Sequence, residues 1–213
     1  MVPLVHDFTG ETVLVFGGGP VGARKARRFA REARVVVVSP AFADAEFGGA
    51  ERVRAAPDPD DVGGWLDRTT PALAVAATDD GRVNAAVERA AHERGTLVNR
   101  ADQSGDRAAG SVVVPATVTD EPVVVAVTTG ATSPALGRHL RERIEPVVEN
   151  AGAMARVTQR LREELRDRPA TERRAALRAV VRHDDVWAAL DDPGTDTRGV
   201  VADVVADVTG DPP

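Results

Sequence analysis

The sequence has 213 residues, of which 43% are hydrophobic and 28% are charged, so it can form an α/β domain and a smaller second part. Its net charge of −6 excludes a broad basic surface for nucleic acid, because such binding depends on neutralising phosphates. Cysteine is absent, which excludes disulfides, thiolate nucleophiles and cysteine-ligated metals. The sequence shows neither a signal-peptide pattern nor an apolar run of about 18 residues, so we expect a cytoplasmic protein without membrane contact.

The first hundred residues alternate between short valine-rich runs and amphipathic stretches. Runs buried on both faces are typical of parallel strands covered by helices, and their alternation with helices predicts a doubly wound parallel sheet of the Rossmann type. Strands are predicted at 12–16, 34–38, near Val53, at 72–77 and at 96–99, and helices at 21–33, around Trp65 and at 83–94.

A glycine motif separates the first strand from the first helix. Residues 17–22 read G-G-G-P-V-G and match the pattern G-x-G-x-x-G. The first glycine of that pattern permits a tight turn, the second lets the backbone approach a pyrophosphate, and the third lets helix and strand pack closely. Because the motif lies between a strand and a helix, it predicts a dinucleotide site at the start of the helix. The expected contacts are Gly17, Gly18, Gly19, Pro20, Val21 and Gly22.

The residue expected to hold the adenosine ribose is Ser39, at the end of the second strand. NAD-binding domains usually place an acidic residue about 20 positions after the glycine motif. A serine hydroxyl can bond to either a 2′-hydroxyl or a 2′-phosphate, so this position leaves both NAD and NADP open, with NAD preferred.

The pattern changes after Asp102. Residues 103–110 are predicted to form a loop, strands are predicted at 111–118 and 123–127 as a hairpin, and the chain from Ser133 onward is predicted to be helical. The last stretch, from Asp191, is rich in Asp, Gly, Pro and Thr and is predicted to be a frayed acidic tail.

Several segments together resemble one family, the precorrin-2 dehydrogenases, which includes the N-terminal part of siroheme synthase. The most particular segments are V-A-A-T-D-D-G-R-V-N and V-T-T-G-A-T-S-P-A-L-G-R. The matching segments, in chain order, are 15–25, 36–40, 75–84, 97–102, 114–116 and 127–138.

The resemblance implies a homodimeric enzyme that uses NAD to oxidise precorrin-2 to sirohydrochlorin, on the way to siroheme and, in some organisms, haem. It implies an NAD-binding Rossmann domain at residues 1–110, a dimerisation hairpin and helix at 111–146, and a helical C-terminal domain at 147–213. Some members of the family also insert iron into the product, and the sequence leaves that activity open.

Asp102 is the candidate catalytic residue. It follows the fifth predicted strand, and open α/β sheets bind their ligands at the ends of such strands. A carboxylate there can accept a proton from the substrate, and the resemblance assigns this role to Asp102. The alternative is an aspartate that only caps a turn. The sequence carries extra residues after Asp102, and Asp106 among them is a weaker rival.

Other polar residues could line the two binding sites, although each has a simpler structural explanation. Thr78, Asp79 and Asn99 follow strands on the nucleotide side, where turn formation is the alternative. Thr129, Gly130, Thr132 and Ser133 open a helix and, together with Arg138, could bind substrate carboxylates. The alternatives are an ordinary helix cap and a solvated arginine.

No permanent metal is predicted, because the four histidines are not spaced as metal ligands and no cysteine supports them. The main alternative function is an NAD-sensing regulatory module without catalysis, which would need the glycine motif but not Asp102. A short-chain dehydrogenase is excluded, because the sequence has no tyrosine and its only lysine, Lys25, lies in the first predicted helix.

Overall fold

The computed structural model describes residues 2–103, 108, 110–130 and 132–210. The chain divides into two compact units. The first unit runs from Met1 to Val114 and includes Gly130–Thr132, and the second unit consists of Pro115–Thr129 and Ser133–Pro213.

The first unit contains a five-stranded parallel sheet in the order β3-β2-β1-β4-β5. This order, with β1 in the centre, confirms the predicted Rossmann-type α/β fold. The strands are β1 (Thr12–Phe16), β2 (Arg34–Ser39), β3 (Glu51–Arg54), β4 (Leu73–Ala76) and β5 (Leu97–Arg100), and the helices are α1 (Pro20–Phe29), α2 (Val62–Thr69) and α3 (Gly81–Glu93).

Two apolar clusters cover the two faces of this sheet. On one face Leu14, Phe16 and Val98 pack with residues of α2 and α3. On the other face Val13 and Val15 pack with residues of α1. Successive residues of a strand point to opposite faces, so the continuous valine runs of β1 and β2 are buried on both sides.

Two boundaries differ from the sequence prediction by more than two residues. Helix α1 ends at Phe29 rather than at residue 33, because the chain turns there to enter β2. The predicted strand at 111–118 is interrupted: Ser111 forms only an isolated bridge with Val98, and the regular strand β6 begins at Ala116.

The second unit begins with an antiparallel hairpin, β6 (Ala116–Asp120) and β7 (Val123–Val127). Five helices follow within the described residues, and the last four of them share a core that includes Met154, Val157, Leu161, Val180 and Val204. The helices are α4 (Pro134–Val148), α5 (Ala151–Glu164), α6 (Ala170–Arg182), α7 (Asp184–Asp191) and α8 (Thr197–Thr209).

The second unit corrects one prediction and departs from another. The predicted frayed tail is wrong for Thr197–Thr209, because this segment forms α8, and its Val204 is buried in the helical core. The hairpin, α4 and the later helices lie in one unit, whereas the sequence predicted two segments with a boundary near residue 146. The amide of Gly152 in α5 donates to the Asp120 carboxylate of the hairpin at 2.9 Å.

Candidate functional site

The packing of the chain itself requires glycine at the first two positions of the motif. Gly17 has a φ of +113°, which favours glycine, and a Cβ there would lie 2.3 Å from the carbonyl oxygen of Ala77. A Cβ on Gly18 would lie 2.4 Å from the carbonyl oxygen of Ala41. The turn after β1 therefore fits tightly between the ends of its two neighbouring strands.

Gly22 and Gly19 differ in what requires them. A Cβ on Gly22 would lie 1.8 Å from the carbonyl oxygen of Gly17, so the start of α1 can approach the turn only with glycine at this position. Gly19 has an ordinary φ of −72°, and a Cβ built on it meets nothing within 4 Å. Nothing that the structure describes requires glycine at 19, whereas a pyrophosphate lying against the backbone would.

The start of α1 has the features of an anion site. Gly19 is its N-cap, Pro20 follows at the first helical position, and within the described part of the chain no side chain caps this helix. The amide groups of a helix's first turn point away from the helix and carry its positive dipole end. The glycine loop and this helix start therefore fit the diphosphate of a dinucleotide.

The end of β2 lies beside the glycine loop. Ser39 is 6% exposed, and its Cβ would lie 2.9 Å from a Cβ on Gly18. The chain after Ser39 folds back over the loop, where the amide of Ala43 donates to the carbonyl oxygen of Gly18 at 2.8 Å. Ser39 therefore borders the loop that fits a diphosphate, which is the place expected for a ribose contact.

The turn between β4 and α3 is held by one buried asparagine that the sequence prediction missed. Asn84 is 1% exposed; its Oδ1 accepts bonds from the amide and hydroxyl of Thr78 at 3.1 and 2.7 Å, and its Nδ2 donates to the Thr78 carbonyl at 2.8 Å. Asp80 caps α3 by accepting a bond from the amide of Arg82. Thr78 thus has the turn role named as its alternative, while Asp79 is exposed.

Asn99 carries a buried acceptor without a partner among the described residues. The residue is 2% exposed, and its Nδ2 donates to the carbonyl oxygen of Val112 at 2.7 Å, which fixes the orientation of the amide. Its Oδ1 has no partner within the part of the chain that the structure describes. Because buried acceptors are normally bonded, this oxygen suits a donor group of a bound molecule.

The carboxylate of Asp102 forms a two-bond ion pair with a neighbouring arginine. Arg100, at the end of β5, donates from Nε and Nη2 to the two carboxylate oxygens of Asp102 at 2.8 and 2.7 Å, and from Nη1 to Glu88 at 2.8 Å. The Arg100 bond, supported by one from Asn84 and opposed by burial, lowers the pKa of Asp102 below its ordinary value. The bond to Asp102 also raises the pKa of Arg100. Asp102 is therefore ionised at neutral pH.

Arg100 and Glu88 were not predicted to belong to the site, and neither was Asn84. Arg100 directly follows the strand predicted at 96–99, and Asn84 and Glu88 lie in the helix predicted at 83–94. The spacing of these residues could have indicated that they lie together. Asn84 and Glu88 are four residues apart and share a helix face. Arg100 shares a strand face with Val98, which packs against α3.

Of the predicted substrate residues, Thr129, Ser133 and Arg138 belong to the second unit and lie at or near the capped start of α4. The hydroxyl of Ser133 accepts a bond from the amide of Leu136 at 3.3 Å, and the hydroxyl of Thr129 donates to the Ser133 carbonyl at 3.0 Å. Thr132 and Arg138 are exposed, and Gly130 has a φ of +62°. The helix cap named as the alternative is present. The rival Asp106 lies outside the described residues.

Among the described residues, no group of three or more His, Asp or Glu side chains could hold a metal ion. None of the helices in the described ranges is both long and apolar enough to cross a membrane.

The sheet order and the glycine turn between β1 and α1 define a Rossmann-type dinucleotide-binding domain. Residues 4–116 match the family model described as "Putative NAD(P)-binding", so the chain belongs to this NAD(P)-binding family, and its recognition as a homologue of siroheme synthase is confirmed.

Three siroheme synthases illustrate the relationship. Those of Azotobacter vinelandii and Pseudomonas aeruginosa are each 38% identical to 78% of this chain, and siroheme synthase 2 of Aeromonas hydrophila is 36% identical to 76% of it. The matched part makes up 35%, 36% and 34% of these relatives, so the chain spans about a third of their length.

A solved structure has the same fold over nearly the whole chain. It is that of "SirC, precorrin-2 dehydrogenase", with a TM-score of 0.72 and 22% identity, and the match covers 96% of this chain and 98% of SirC. This likeness confirms the predicted combination of a Rossmann-type sheet with C-terminal helices.

Proposed function

We propose that the protein uses NAD to oxidise precorrin-2 to sirohydrochlorin in siroheme biosynthesis. The observation that carries the proposal is that a glycine loop suited to a dinucleotide and a fixed carboxylate, Asp102, both lie at the carboxyl edge of one parallel sheet. The likeness to siroheme synthases and to the fold of SirC supports this substrate among the many that Rossmann domains serve.

The first part of the proposal is the cofactor site. NAD, when bound, supplies the nicotinamide that accepts a hydride. When NAD is bound, the amides at the start of α1 would hold its diphosphate and Ser39 would bond to its ribose. Asn99 would offer Oδ1, which has no partner among the described residues, as an acceptor. The proposed cofactor-binding residues are Gly17, Gly18, Gly19, Pro20, Val21, Gly22, Ser39, Thr78, Asp79 and Asn99.

The second part is the role of Asp102. The oxidation would remove two hydrogens from precorrin-2, one as a hydride and one as a proton. Hydride loss leaves positive charge on the substrate until the proton departs. An ionised carboxylate stabilises that charge and receives the proton before passing it to solvent. The Arg100 bonds keep Asp102 in the ionised state that this role requires.

The third part is the substrate site. The carboxylates of the tetrapyrrole suit a guanidinium and the amides of a helix start. Because the Ser133 hydroxyl already caps α4, we assign the contacts of this turn to its backbone amides and to the exposed Arg138. The turn residues in the proposal are Thr129, Gly130, Thr132 and Ser133.

The proposal includes a homodimer formed through the hairpin and α4, and a cytoplasmic location. Val124, Leu136 and Val147 are large apolar side chains left exposed on this hairpin and helix, and burying them would favour association. The other activities of siroheme synthases are not part of the proposal, because the chain spans only about a third of those proteins.

The test is to mix the purified protein with precorrin-2 and NAD, with and without ferrous iron as a second substrate. We expect NADH and sirohydrochlorin to form in equal amounts, and the absorbance spectrum separates sirohydrochlorin from siroheme. Siroheme formed faster than in a protein-free control would add iron insertion to the activity. NAD binding without NADH formation would contradict the proposal and favour the NAD-sensing alternative.

A further inference from the structure

The guanidinium of Arg100 is the most deeply buried charged group in the candidate site. The residue is 5% exposed, and its side chain follows Val98 on the strand face that packs against α3. A buried charge must be paired and hydrogen-bonded to be tolerated. Arg100 satisfies this condition through Glu88 on one side and Asp102 on the other.

The exposures of the three side chains decrease towards the arginine. The Asp102 side chain is 26% exposed, that of Glu88 is 19% exposed, and that of Arg100 is 6% exposed. Glu88 thus anchors the arginine from the helix side, and Asp102 is the end of the chain of contacts that solvent or a ligand can reach. A carboxylate has about four acceptor sites, so the two bonds from Arg100 leave each Asp102 oxygen able to accept another.

We propose that Arg100 is a positioning residue, which Glu88 anchors to α3 and which holds the Asp102 carboxylate in one orientation at the carboxyl edge of the sheet. A side-on arginine fork fixes both the plane and the direction of a carboxylate, which a single point charge cannot do. This inference rests on the proposed function, because it assigns a purpose to the catalytic role of Asp102.

The contacts of Arg100 with Glu88 and Asp102 are called the clamp below. The charges around Asp102 determine how its ionisation responds when the clamp is broken. Among the described residues, Arg100 of β5 faces it directly, Glu88 of α3 lies behind Arg100, and Asn84 of α3 adds a neutral donor. Replacing the guanidinium with an uncharged group removes the main stabilisation of the anion and leaves the charge of Glu88 nearby. The pKa of Asp102 then rises, and activity that needs its anion declines at a higher pH.

The experiment compares three variants with the wild-type protein: Arg100→Met, Arg100→Lys and Glu88→Gln. We expect Arg100→Met to lower kcat for precorrin-2 oxidation by about 10- to 100-fold, while the Kd for NAD changes by less than about twofold. The acid limb of its pH profile moves to higher pH. Arg100→Lys keeps the charge but loses the paired bonds, so we expect its kcat to lie between those of the wild type and Arg100→Met. Glu88→Gln should lower kcat by less than about tenfold.

The matched control is Arg94→Met, because Arg94 forms the same kind of fork with Asp67. We expect its kcat and pH profile to equal those of the wild type. A wild-type kcat and acid limb in Arg100→Met would overturn the inference, and so would an equal loss in Arg94→Met. If Arg100→Met does not fold, as judged by circular dichroism, the same comparison is decided by Arg100→Lys.

A carboxyl NMR titration of Asp102 separates failure of the clamp from failure of the proposed function. We expect the pKa of Asp102 to be higher in Arg100→Lys than in the wild type, whether or not precorrin-2 is the substrate. An unchanged pKa would overturn the clamp. If the pKa of Asp102 differs between Arg100→Lys and the wild type as expected, but the wild-type protein oxidises no precorrin-2, the proposed function is overturned. The positioning role is then overturned with it.

Discussion

Two of the arginine–aspartate forks that the structure describes in the first unit have nearly the same geometry in different surroundings. The Nε and Nη2 of Arg100 donate to the carboxylate oxygens of Asp102 at 2.8 and 2.7 Å. The same atoms of Arg94 donate to those of Asp67 at 2.7 and 3.1 Å. The first fork follows β5 at the carboxyl edge of the sheet. The second lies at the opposite edge, where α2 and α3 end and β4 and β5 begin.

The two forks differ mainly in burial. The Arg100 side chain is 6% exposed and the Arg94 side chain is 30% exposed, while the exposures of Asp102 and Asp67 are 26% and 63%. Exposed ion pairs contribute little to the stability of the fold, because water screens the charges and the long side chains lose conformational entropy when they pair. The comparison teaches that bond lengths do not distinguish the pair that we propose to act in catalysis from a surface pair, whereas burial and position at the carboxyl edge of the sheet do.

The largest expected contrast between the two forks is in catalysis. Asp102→Asn keeps the size of the side chain but removes its charge, so we expect turnover to decrease by about 100-fold or more. NAD binding should be retained, because the glycine loop is untouched. Steady-state kinetics with precorrin-2 and a binding titration with NADH measure the two effects. Asp67→Asn is the matched control, and near-normal turnover by Asp102→Asn would remove Asp102 from the mechanism.

The next contrast tests whether the carboxyl edge is the nucleotide edge. In Gly19→Ala the new methyl group meets no atom of the chain but enters the space required for a pyrophosphate. We expect normal folding and an NAD Kd raised by about tenfold or more. The control is Gly64→Ala in α2, where the added Cβ meets only the flexible end of Arg68 at 3.3 Å. Equal NADH affinities by calorimetry in both variants would contradict the assignment of the site.

The sequence was sufficient to predict the features that depend on local pattern. The valine runs predicted the parallel strands, and the glycine spacing predicted the turn before α1. The clamp on Asp102 could not be predicted, because whether an arginine in a strand is solvated or buried depends on which helix packs over it. Likewise, the polar composition after Asp191 hid α8, whose buried Val204 is explained by packing against other helices.

A smaller contrast concerns stability and its dependence on pH. The Arg100 bond lowers the pKa of Asp102 in the folded state, so Asp102 stabilises the fold above its unfolded pKa, about 4, and this contribution disappears as pH falls through the folded pKa. We expect Asp102→Asn to lower the free energy of unfolding by about 1–3 kcal/mol at neutral pH and to make it less sensitive to acid.

Urea unfolding followed by Trp65 fluorescence measures this effect. The sequence has two tryptophans, so a Trp187→Phe background leaves Trp65 to report on the first unit alone. Thr129→Ala, in the second unit, is the control for changes outside the first unit. A loss that is equally large at neutral pH and at a pH well below 4 would contradict the assigned source of the stabilisation.

The smallest expected effect is that of breaking the exposed fork. The bond to Arg94 also lowers the pKa of Asp67, but this pair lies in solvent, so the shift does not imply appreciable stability. Arg94→Met should leave the urea midpoint, the NAD Kd and the turnover close to the wild-type values. The Nη1 of Arg94 also donates to the Ala90 carbonyl at 3.0 Å near the end of α3, so any loss should persist in high salt. A large, salt-sensitive loss would instead show that the exposed ion pair itself stabilises the unit, and burial would no longer separate the two forks.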